Sequence, residues 1–185
     1  LASHTWPVGL ENVSLRPAAS PVNTVQSWEL TFPGYDDQQI SARYTRPTST
    51  SEDLPIVVEF IGYGGGRGLL EEHLAWASCG SAHLIVDTRG QGAGWGGGGD
   101  TGDHADTGAS GKGFMTRGIT SPQTYYYRRA FADTFQALRL ARLLPGVNPN
   151  LVIPCGGSQG GALSVAAAAL DQNVAGFIAN VPFLS

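Results

Sequence analysis

The sequence predicts an α/β fold in which a mostly parallel, doubly wound sheet follows an antiparallel lead-in. The chain has 185 residues, about the length of one domain, and can bury a substantial apolar core. Hydrophobic residues make up 42% and charged residues 14% of it, as in a globular protein with a large interior. Segments typical of strands and of helices alternate, which favours right-handed crossovers. We assign residues 1–50 to the lead-in strands and residues 51–185 to the core.

Six apolar or β-branched segments are typical of strands. They cover residues 24–32, 40–46, 55–61, 83–87, 151–155 and 175–181. The later segments are almost entirely apolar, which indicates strands that are covered on both faces. The region 24–46 alternates more and predicts an antiparallel hairpin.

Three segments between the strands predict helices. Residues 69–78 precede Gly80, which suits a helix C-terminus, and residues 122–144 lie between the start signal Ser121-Pro122 and Pro145. The third predicted helix covers residues 159–170. Residues 88–121 form a long, Gly-rich, polar connection, and loops of this length commonly act as lids, binding loops or interface arms.

The charge balance argues against several classes of partner. The chain has 11 Lys and Arg against 15 Asp and Glu, a net charge of −4, and no basic run. We therefore expect neither nucleic acid nor a membrane surface as a partner. The apolar tract 162–170 is far shorter than the roughly 20 residues that cross a bilayer. The first residue is Leu1 rather than Met, which indicates a processed or cut start and leaves localisation open.

Two glycine patterns and one acidic cluster resemble cofactor or metal sites. Residues 92–97 match G-x-G-x-x-G after a strand, but no helix is predicted to begin there. Gly111-Lys112-Gly113 lacks the Ser or Thr that follows the lysine of a phosphate-binding loop. A solvated acidic loop is a better interpretation than a cation site for Asp100, Asp103, His104 and Asp106. We predict no cofactor and no metal.

The segment after the predicted strand 151–155 carries the chemistry. Glycines surround Ser158 in the spacing Gly-x-Ser-x-Gly, the nucleophile elbow; they are Gly156, Gly157, Gly160 and Gly161. The motif needs glycine because the serine sits on a strained strand-to-helix turn, where side chains two residues away would collide with backbone. Ser158 is therefore the predicted nucleophile. The alternative is a glycine-rich packing turn in which Ser158 is an ordinary N-cap.

Two backbone N–H groups are candidates for an oxyanion hole. Gln159 begins the predicted helix, so its N–H and the helix dipole would face an oxyanion formed at Ser158. A second donor should come from the turn after an earlier core strand, and residues 61–66 follow the predicted strand 55–61. The N–H of Tyr63 is our candidate. The alternative for residues 61–66 is a plain glycine-rich loop.

Five segments occur in an order that resembles a known family. They are Asp87-Thr88-Arg89-Gly90-Gln91-Gly92, Gly113-Phe114-Met115-Thr116-Arg117-Gly118-Ile119, Thr124-Tyr125-Tyr126-Tyr127-Arg128, the elbow 156–161 and Val181-Pro182-Phe183-Leu184-Ser185. From about Trp28 to the end, the chain is similar to the cephalosporin C deacetylase and acetyl xylan esterase family, carbohydrate esterase family seven. That family belongs to the α/β-hydrolase superfamily, so the resemblance implies an α/β-hydrolase fold.

The resemblance also implies an activity and site residues. It implies removal of acetyl groups from small acetylated sugars or cephalosporins through an acyl-enzyme on Ser158. It implies that Tyr63 and Gln159 supply the backbone oxyanion donors. The family commonly has histidine where this chain has Ile61, which changes the wall of the pocket rather than the mechanism.

The resemblance further implies a supporting segment and an assembly. The Arg-Gly-Gln segment, Arg89, Gly90 and Gln91, would organise the active-site region. A homo-oligomer is expected, with the loop 88–121 as an interface arm.

The catalytic acid and base are not evident in this chain. In α/β-hydrolases both follow the serine, and the residues after Ser158 include Asp171, on the wrong helix, but no histidine. All four histidines precede Ser158: His4, His73, His83 and His104. The resemblance implies that the Asp and the His lie beyond Ser185, and our hypothesis is that a complementing C-terminal polypeptide, or a later segment of the same gene product, carries them. The chain alone should be nearly inactive, because removing the serine or its base can cost about 2 × 10⁶ in turnover.

Two alternative functions stay open. One is an acyltransferase or an esterase for longer acyl chains. The other is a non-catalytic carbohydrate-binding fragment with the same fold.

Overall fold

The computed structural model describes residues 9–50, 53–92, 94–95, 98–104 and 113–183. Its strands are β1 (Ser14–Ala18), β2 (Val25–Pro33), β3 (Gln39–Pro47), β4 (Leu54–Phe60), β5 (Ala82–Val86), β6 (Val147–Gly157) and β7 (Ile178–Asn180). In the described part of the chain they form one sheet in the order β1-β2-β3-β5-β4-β6-β7.

The lead-in is antiparallel, as predicted. β2 pairs with β3 along its whole length, from Val25 opposite Pro47 to Pro33 opposite Gln39. The sequence did not predict β1, which pairs antiparallel with β2. None of its residues is fully buried, and it contains Pro17, which an edge strand tolerates. β1 therefore lacks the alternation of buried and exposed residues from which a strand can be predicted.

The core half of the sheet is parallel. β4 lies between β5 and β6 and is parallel to both, and β7 is parallel to β6. β6 begins earlier than predicted because Val147 pairs with Leu54 through an irregular register. β7 is shorter than predicted, since pairing with β6 involves residues 178–180 alone. The predicted fold class, a parallel α/β sheet after an antiparallel lead-in, is confirmed.

The helices are α1 (Ala75–Ser78), α2 (Tyr126–Ala141) and α3 (Gln159–Leu170). α3 has the predicted bounds. The predicted start of α2 at residue 122 is wrong, because Tyr125 has an extended backbone, with a φ of −60° and a ψ of 128°, and the helix begins at the next residue. The predicted helix 69–78 is divided into a 3-10 turn, Leu70–His73, and α1.

The main core lies between the sheet and helices α2 and α3. It includes Ile56, Val58, Phe60, Val152, Tyr126, Ala137, Leu138, Leu163 and Ala167. The loops after β4, β5 and β6 meet at the carboxyl end of these parallel strands, where α/β folds place their ligands. In the part of the chain that the structure describes, no helix has the length and apolarity that crossing a bilayer requires.

Candidate active site

Ser158 lies at the sharp turn between β6 and α3. Its φ of 53° and ψ of −119° are strained for a residue with a side chain, at a cost on the order of 1–3 kcal/mol. Its N–H donates to the carbonyl of Asn180 at 3.0 Å, and its own carbonyl accepts the N–H of Phe183 at 3.0 Å. Gly161 leaves room for this contact, since a Cβ there would lie 3.2 Å from the Asn180 oxygen. The end of β7 thus holds the strained turn, and Ser158 is exposed.

The glycines around Ser158 have unequal roles. A Cβ on Gly156 would lie 2.7 Å from the carbonyl oxygen of Phe60, and a Cβ on Gly160 would collide with the same oxygen. Gly157 has open space, because its nearest neighbour would be 3.9 Å away. The two glycines that lie two residues from Ser158 are therefore the ones that the close approach of β6, α3 and β4 requires.

The second predicted donor, Tyr63, lies in the glycine-rich segment that follows β4, residues 61–66, which we call turn 61–66. The indole N–H of Trp95 donates to the Tyr63 carbonyl at 2.7 Å. The backbone of Trp95 also pairs with that of Gly65 in an isolated parallel β-bridge. The Tyr63 hydroxyl accepts the N–H groups of Gly113, at 2.9 Å, and Phe114, at 3.1 Å. The backbone N–H of Tyr63 donates to no described residue.

A buried side-chain network joins turn 61–66 to the elbow. The Oε1 of Gln91 accepts a hydrogen bond from the N–H of Gly64 at 2.7 Å. The Nε2 of Gln91 donates to the Oε1 of Gln159 at 3.0 Å. The Nε2 of Gln159 donates to the carbonyl of Ile61 at 3.3 Å. The backbone N–H of Gln159 at the start of α3 donates to no described residue. Among the described residues neither candidate oxyanion donor has a hydrogen-bond partner, and side chains connect the segments that carry them.

Two tyrosines of α2 complete this network. The hydroxyl of Tyr126 accepts from Gln91 at 2.9 Å and donates to the carbonyl of Arg89 at 2.5 Å. The hydroxyl of Tyr127 donates to the Oε1 of Gln159 at 2.8 Å. Burial, reinforced by neighbouring tyrosines, raises the pKa of Tyr127 to about 12. The hydroxyl therefore stays a proton donor at neutral pH.

Arg89 is buried and Gly90 is partly buried at the start of the loop 88–121, and both contact residues further along the chain. Arg89 is 1% exposed and donates from Nε and Nη2 to the two carboxylate oxygens of Asp133 in α2, at 2.6 and 2.7 Å. Its Nη1 lies 3.5 Å from Asp103. Gly90 has a φ of 68°, and a Cβ there would lie 3.0 Å from the Asp103 side chain.

The acidic cluster is the predicted solvated loop only in part, because Asp100 and His104 are exposed whereas the Asp103 side chain is buried. Asp100 is exposed but pairs with Arg67 at 2.7 Å. The side chain of Asp103 is only 2% exposed and pairs with Arg129 at 2.6 Å, so neighbouring arginines compensate its charge. Asp106 lies outside the described residues. Within the described ranges, no three or more His, Cys, Asp or Glu side chains are grouped to hold a metal.

A cavity of about 490 Å³ opens beside Ser158. Turn 61–66 contributes Ile61, Gly62 and Gly66 to its wall, and the elbow contributes Gly157 and Ser158, so both segments that carry a candidate donor line this cavity. Its lining residues are Glu59, Phe60, Ile61, Gly62, Gly66, Glu72, His73, Trp95, Gly157, Ser158 and Val181.

None of the described histidines forms a hydrogen bond with Ser158. His83 is buried with its Nε2 2.9 Å from the Glu59 carboxylate, and His73 lines the cavity with its Nδ1 3.9 Å from the same carboxylate. Burial by itself raises the pKa of Glu59, but the hydrogen bond and charge of His83 outweigh it and hold that pKa below its usual value. His104 is exposed.

The acidic residue after the elbow is engaged elsewhere. Asp171, which follows the last residue of α3, pairs with Arg142 at 2.6 Å. His4 lies outside the described residues. The described residues therefore present a candidate nucleophile and two candidate oxyanion donors, and they bring neither a base nor an acid into contact with that nucleophile.

A parallel sheet flanked by helices, with a serine on the strained turn that leaves a central strand, defines an α/β-hydrolase. The family can be stated as well. The family model "Acetyl xylan esterase (AXE1)" matches residues 9–185, and the chain belongs to this family.

Solved structures and a curated protein give the same result. The chain is similar to the acetyl xylan esterase from Paenibacillus sp. R4, with 33% identity and a TM-score of 0.85, covering 97% of this chain and 55% of that one. The chain is also similar to acetyl xylan esterase 1 from Thermoanaerobacterium sp. JW/SL YS485, with 30% identity and a TM-score of 0.82. This match covers 94% of this chain and 53% of that one. The acetyl esterase Axe7A of Xylanibacter ruminicola is 37% identical over 73 residues, 40% of this chain and 17% of that protein. The chain thus spans about half the length of the solved relatives.

Sequence reasoning did not assign a role to Trp95, Tyr126 or Tyr127. Tyrosines on a helix are usually core residues, and a tryptophan in a glycine-rich loop has no partner that spacing can identify. One signal was present, because α2 begins with two adjacent tyrosines, whose hydroxyls need hydrogen-bond partners once they are buried.

Proposed function

We propose that this chain carries the nucleophile and the oxyanion hole of a serine esterase that removes acetyl groups from sugars. The observation that supports this most directly is the exposed, strained Ser158 beside a cavity that is lined by turn 61–66 and by the elbow, the two segments that carry the backbone N–H groups of Tyr63 and Gln159. Two N–H groups on one side of a serine suit a tetrahedral oxyanion, and each donor contributes about 10²- to 10³-fold in rate.

The proposed reaction has two steps. The Oγ of Ser158 attacks the acetyl carbonyl carbon as a base takes its proton, and the oxyanion receives hydrogen bonds from Tyr63 and Gln159. The C–O bond to the sugar breaks, the sugar oxygen takes the proton, and an acetyl-serine remains. Water then attacks this ester with the same proton transfers, which releases acetate and restores Ser158.

The substrate class follows from the relatives and from the cavity. Two relatives are named acetyl xylan esterases and one an acetyl esterase, so we propose a small acetylated sugar such as a xylo-oligosaccharide, with cephalosporin C as a second substrate. The cavity is lined near the serine by Ile61 and Trp95, an apolar surface that suits an acetyl methyl group and a sugar face.

We propose that a complementing polypeptide segment supplies the Asp and the His and docks beside β7. On its outer side β7 pairs with no described strand, and exposed apolar residues lie along it: Phe177 at 53%, Ile178 at 43%, Val181 at 77% and Phe183 at 38%. Such an edge would bind a further strand. Roughly half of the length of each solved relative has no counterpart here, which is enough chain to cover this edge.

Self-association is part of the proposal. Ile119, in the described end of the loop 88–121, is 60% exposed, which suits the interface arm expected there. The native mass of the purified protein, for wild type and for Ile119→Lys, tests this. A homo-oligomer that the lysine variant weakens is expected, whereas a monomeric wild type would contradict it.

The proposed function is tested on the protein purified with every polypeptide that accompanies it. A fluorophosphonate should label Ser158, a His-containing segment should co-purify, and acetyl esters should be cleaved in preference to octanoyl esters. Ser158→Ala should lower turnover by about 10⁶-fold, and Ser14→Ala on the exposed strand β1 should leave it unchanged. If Ser158 is not labelled and no turnover is seen, the result favours a non-catalytic carbohydrate-binding fragment. If octanoyl esters are preferred, the result favours an esterase for longer acyl chains.

A further inference from the structure

We propose that the side-chain amides of Gln91 and Gln159 set the spacing between the two oxyanion donors, and so act as positioning groups for the reaction proposed above, on which this inference rests. Gln91 lies in the loop after β5, and Gln159 begins α3. Their side chains connect that loop, turn 61–66 and the elbow through direct hydrogen bonds.

The amide pair holds turn 61–66 on both sides of Tyr63. The carbonyl of Ile61 accepts from the Nε2 of Gln159 at 3.3 Å, and the N–H of Gly64 donates to the Oε1 of Gln91 at 2.7 Å. The Tyr63 N–H lies between these two anchored groups in the chain. A shift of either amide would therefore move the donor relative to Ser158.

The side-chain amide of Gln91 satisfies two demands at once. The turn presents one acceptor and one donor, and the two glutamines also bond to each other, Gln91 to Gln159 at 3.0 Å and the reverse at 3.3 Å. An amide has two donors and an acceptor oxygen, whereas a carboxylate only accepts and a methionine does neither with comparable strength. Replacing Gln91 thus leaves buried groups without partners.

Burial makes the arrangement rigid. Gln91 is 7% and Gln159 2% exposed, so water does not readily replace a lost bond. Oxyanion donors act from about 2.7–3.1 Å, and a misplacement of about 1 Å can cost 10²-fold in rate. The network therefore supports transition-state binding more than substrate binding.

The test compares Gln91→Met with Gln136→Met in the protein purified with every polypeptide that accompanies it. Gln136 is a matched control, because it is 2% exposed on α2 and its Nε2 has no hydrogen-bond partner among the described residues. The readouts are kcat and KM for an acetyl ester, the affinity for an arylboronic acid that forms a tetrahedral adduct, and the thermal midpoint. Gln91→Met should lower kcat by about 10²-fold, weaken boronate binding in proportion and change KM less than about threefold.

Each outcome decides the inference. A kcat for Gln91→Met equal to that of Gln136→Met overturns it, as does a loss of kcat without weaker boronate binding. If Gln91→Met does not fold, Gln91→Glu keeps an acceptor for Gly64, removes the donor and is subject to the same criteria. A wild-type protein that neither cleaves acetyl esters nor labels at Ser158 overturns the proposed function together with this inference, whereas an active wild type with an unaffected Gln91→Met overturns this inference alone.

Discussion

The elbow and turn 61–66 each carry one candidate oxyanion donor and both line the same cavity, but they are built differently. The elbow is made by consecutive residues, 156–161, whose glycines allow the strained turn at Ser158. Turn 61–66 takes its position from distant residues, because Trp95, Gln91 and Gly113 hold it through hydrogen bonds. One donor is thus specified by local sequence and the other by tertiary contacts.

The largest effect is expected from changing the elbow itself. In Gly160→Ala the new Cβ collides with the carbonyl oxygen of Phe60, and neither backbone segment can move freely. We expect a loss of at least about 3 kcal/mol in the free energy of unfolding, measured by chemical denaturation.

Gly157→Ala is the matched control for Gly160→Ala. Its Cβ would meet nothing closer than 3.9 Å, so its stability should change by less than about 1 kcal/mol. Equal stability of the two variants would show that close packing does not maintain the elbow.

Features that depend on local sequence were predicted, whereas features that depend on tertiary contacts were not. Ser158 and the bounds of α3 were predictable because the motif and its strand-turn-helix context are contiguous. The antiparallel lead-in was predictable from alternation, but β1 was not, since none of its residues is fully buried.

The supporting groups were harder to predict because their partners lie far apart in the chain. Gln91 and Gln159 are 68 residues apart, and no local pattern indicates their hydrogen bond. The same reason explains the error at Asp103, whose partner Arg129 is 26 residues away. Charge composition alone suggested a solvated loop there.

A smaller effect is expected from loosening turn 61–66. Trp95→Phe keeps an aromatic ring beside Gly62 and Gly65 but removes the N–H that donates to the Tyr63 carbonyl. Loss of one hydrogen bond of about 1 kcal/mol should lower kcat about fivefold. The free energy of unfolding should change by less than it does in Gly160→Ala. Steady-state kinetics measures the change in kcat, and chemical denaturation of the same sample measures the change in stability.

Because Trp95 also lines the cavity, KM must be measured alongside kcat. A rise in KM with unchanged kcat would mean that Trp95 contacts substrate without positioning Tyr63. That result would weaken the contrast between the two regions, since turn 61–66 would then keep its shape without this distant contact.

The smallest effect concerns alkaline pH. The pKa of Tyr127 is raised to about 12 in the folded protein, mainly by burial, against an ordinary value of 10.0. Its hydroxyl donates to Gln159 as long as it is protonated. A raised folded-state pKa contributes stability that is complete below pH 10 and is lost as the pH rises toward about 12. The free energy of unfolding should therefore fall over that range, and less steeply in Tyr127→Phe.

Tyr44→Phe is the control that distinguishes the effect of Tyr127 on stability from its effect on the position of Gln159. Burial also raises the pKa of Tyr44 to about 12, but its hydroxyl bonds to the carbonyl of Pro145, away from the elbow. Both variants should reduce the alkaline loss of stability, whereas only Tyr127→Phe should slow fluorophosphonate labelling of Ser158 at neutral pH, because only Tyr127 contacts Gln159. Equal labelling rates would mean that the elbow keeps its geometry without α2, and that long-range support is needed by turn 61–66 alone.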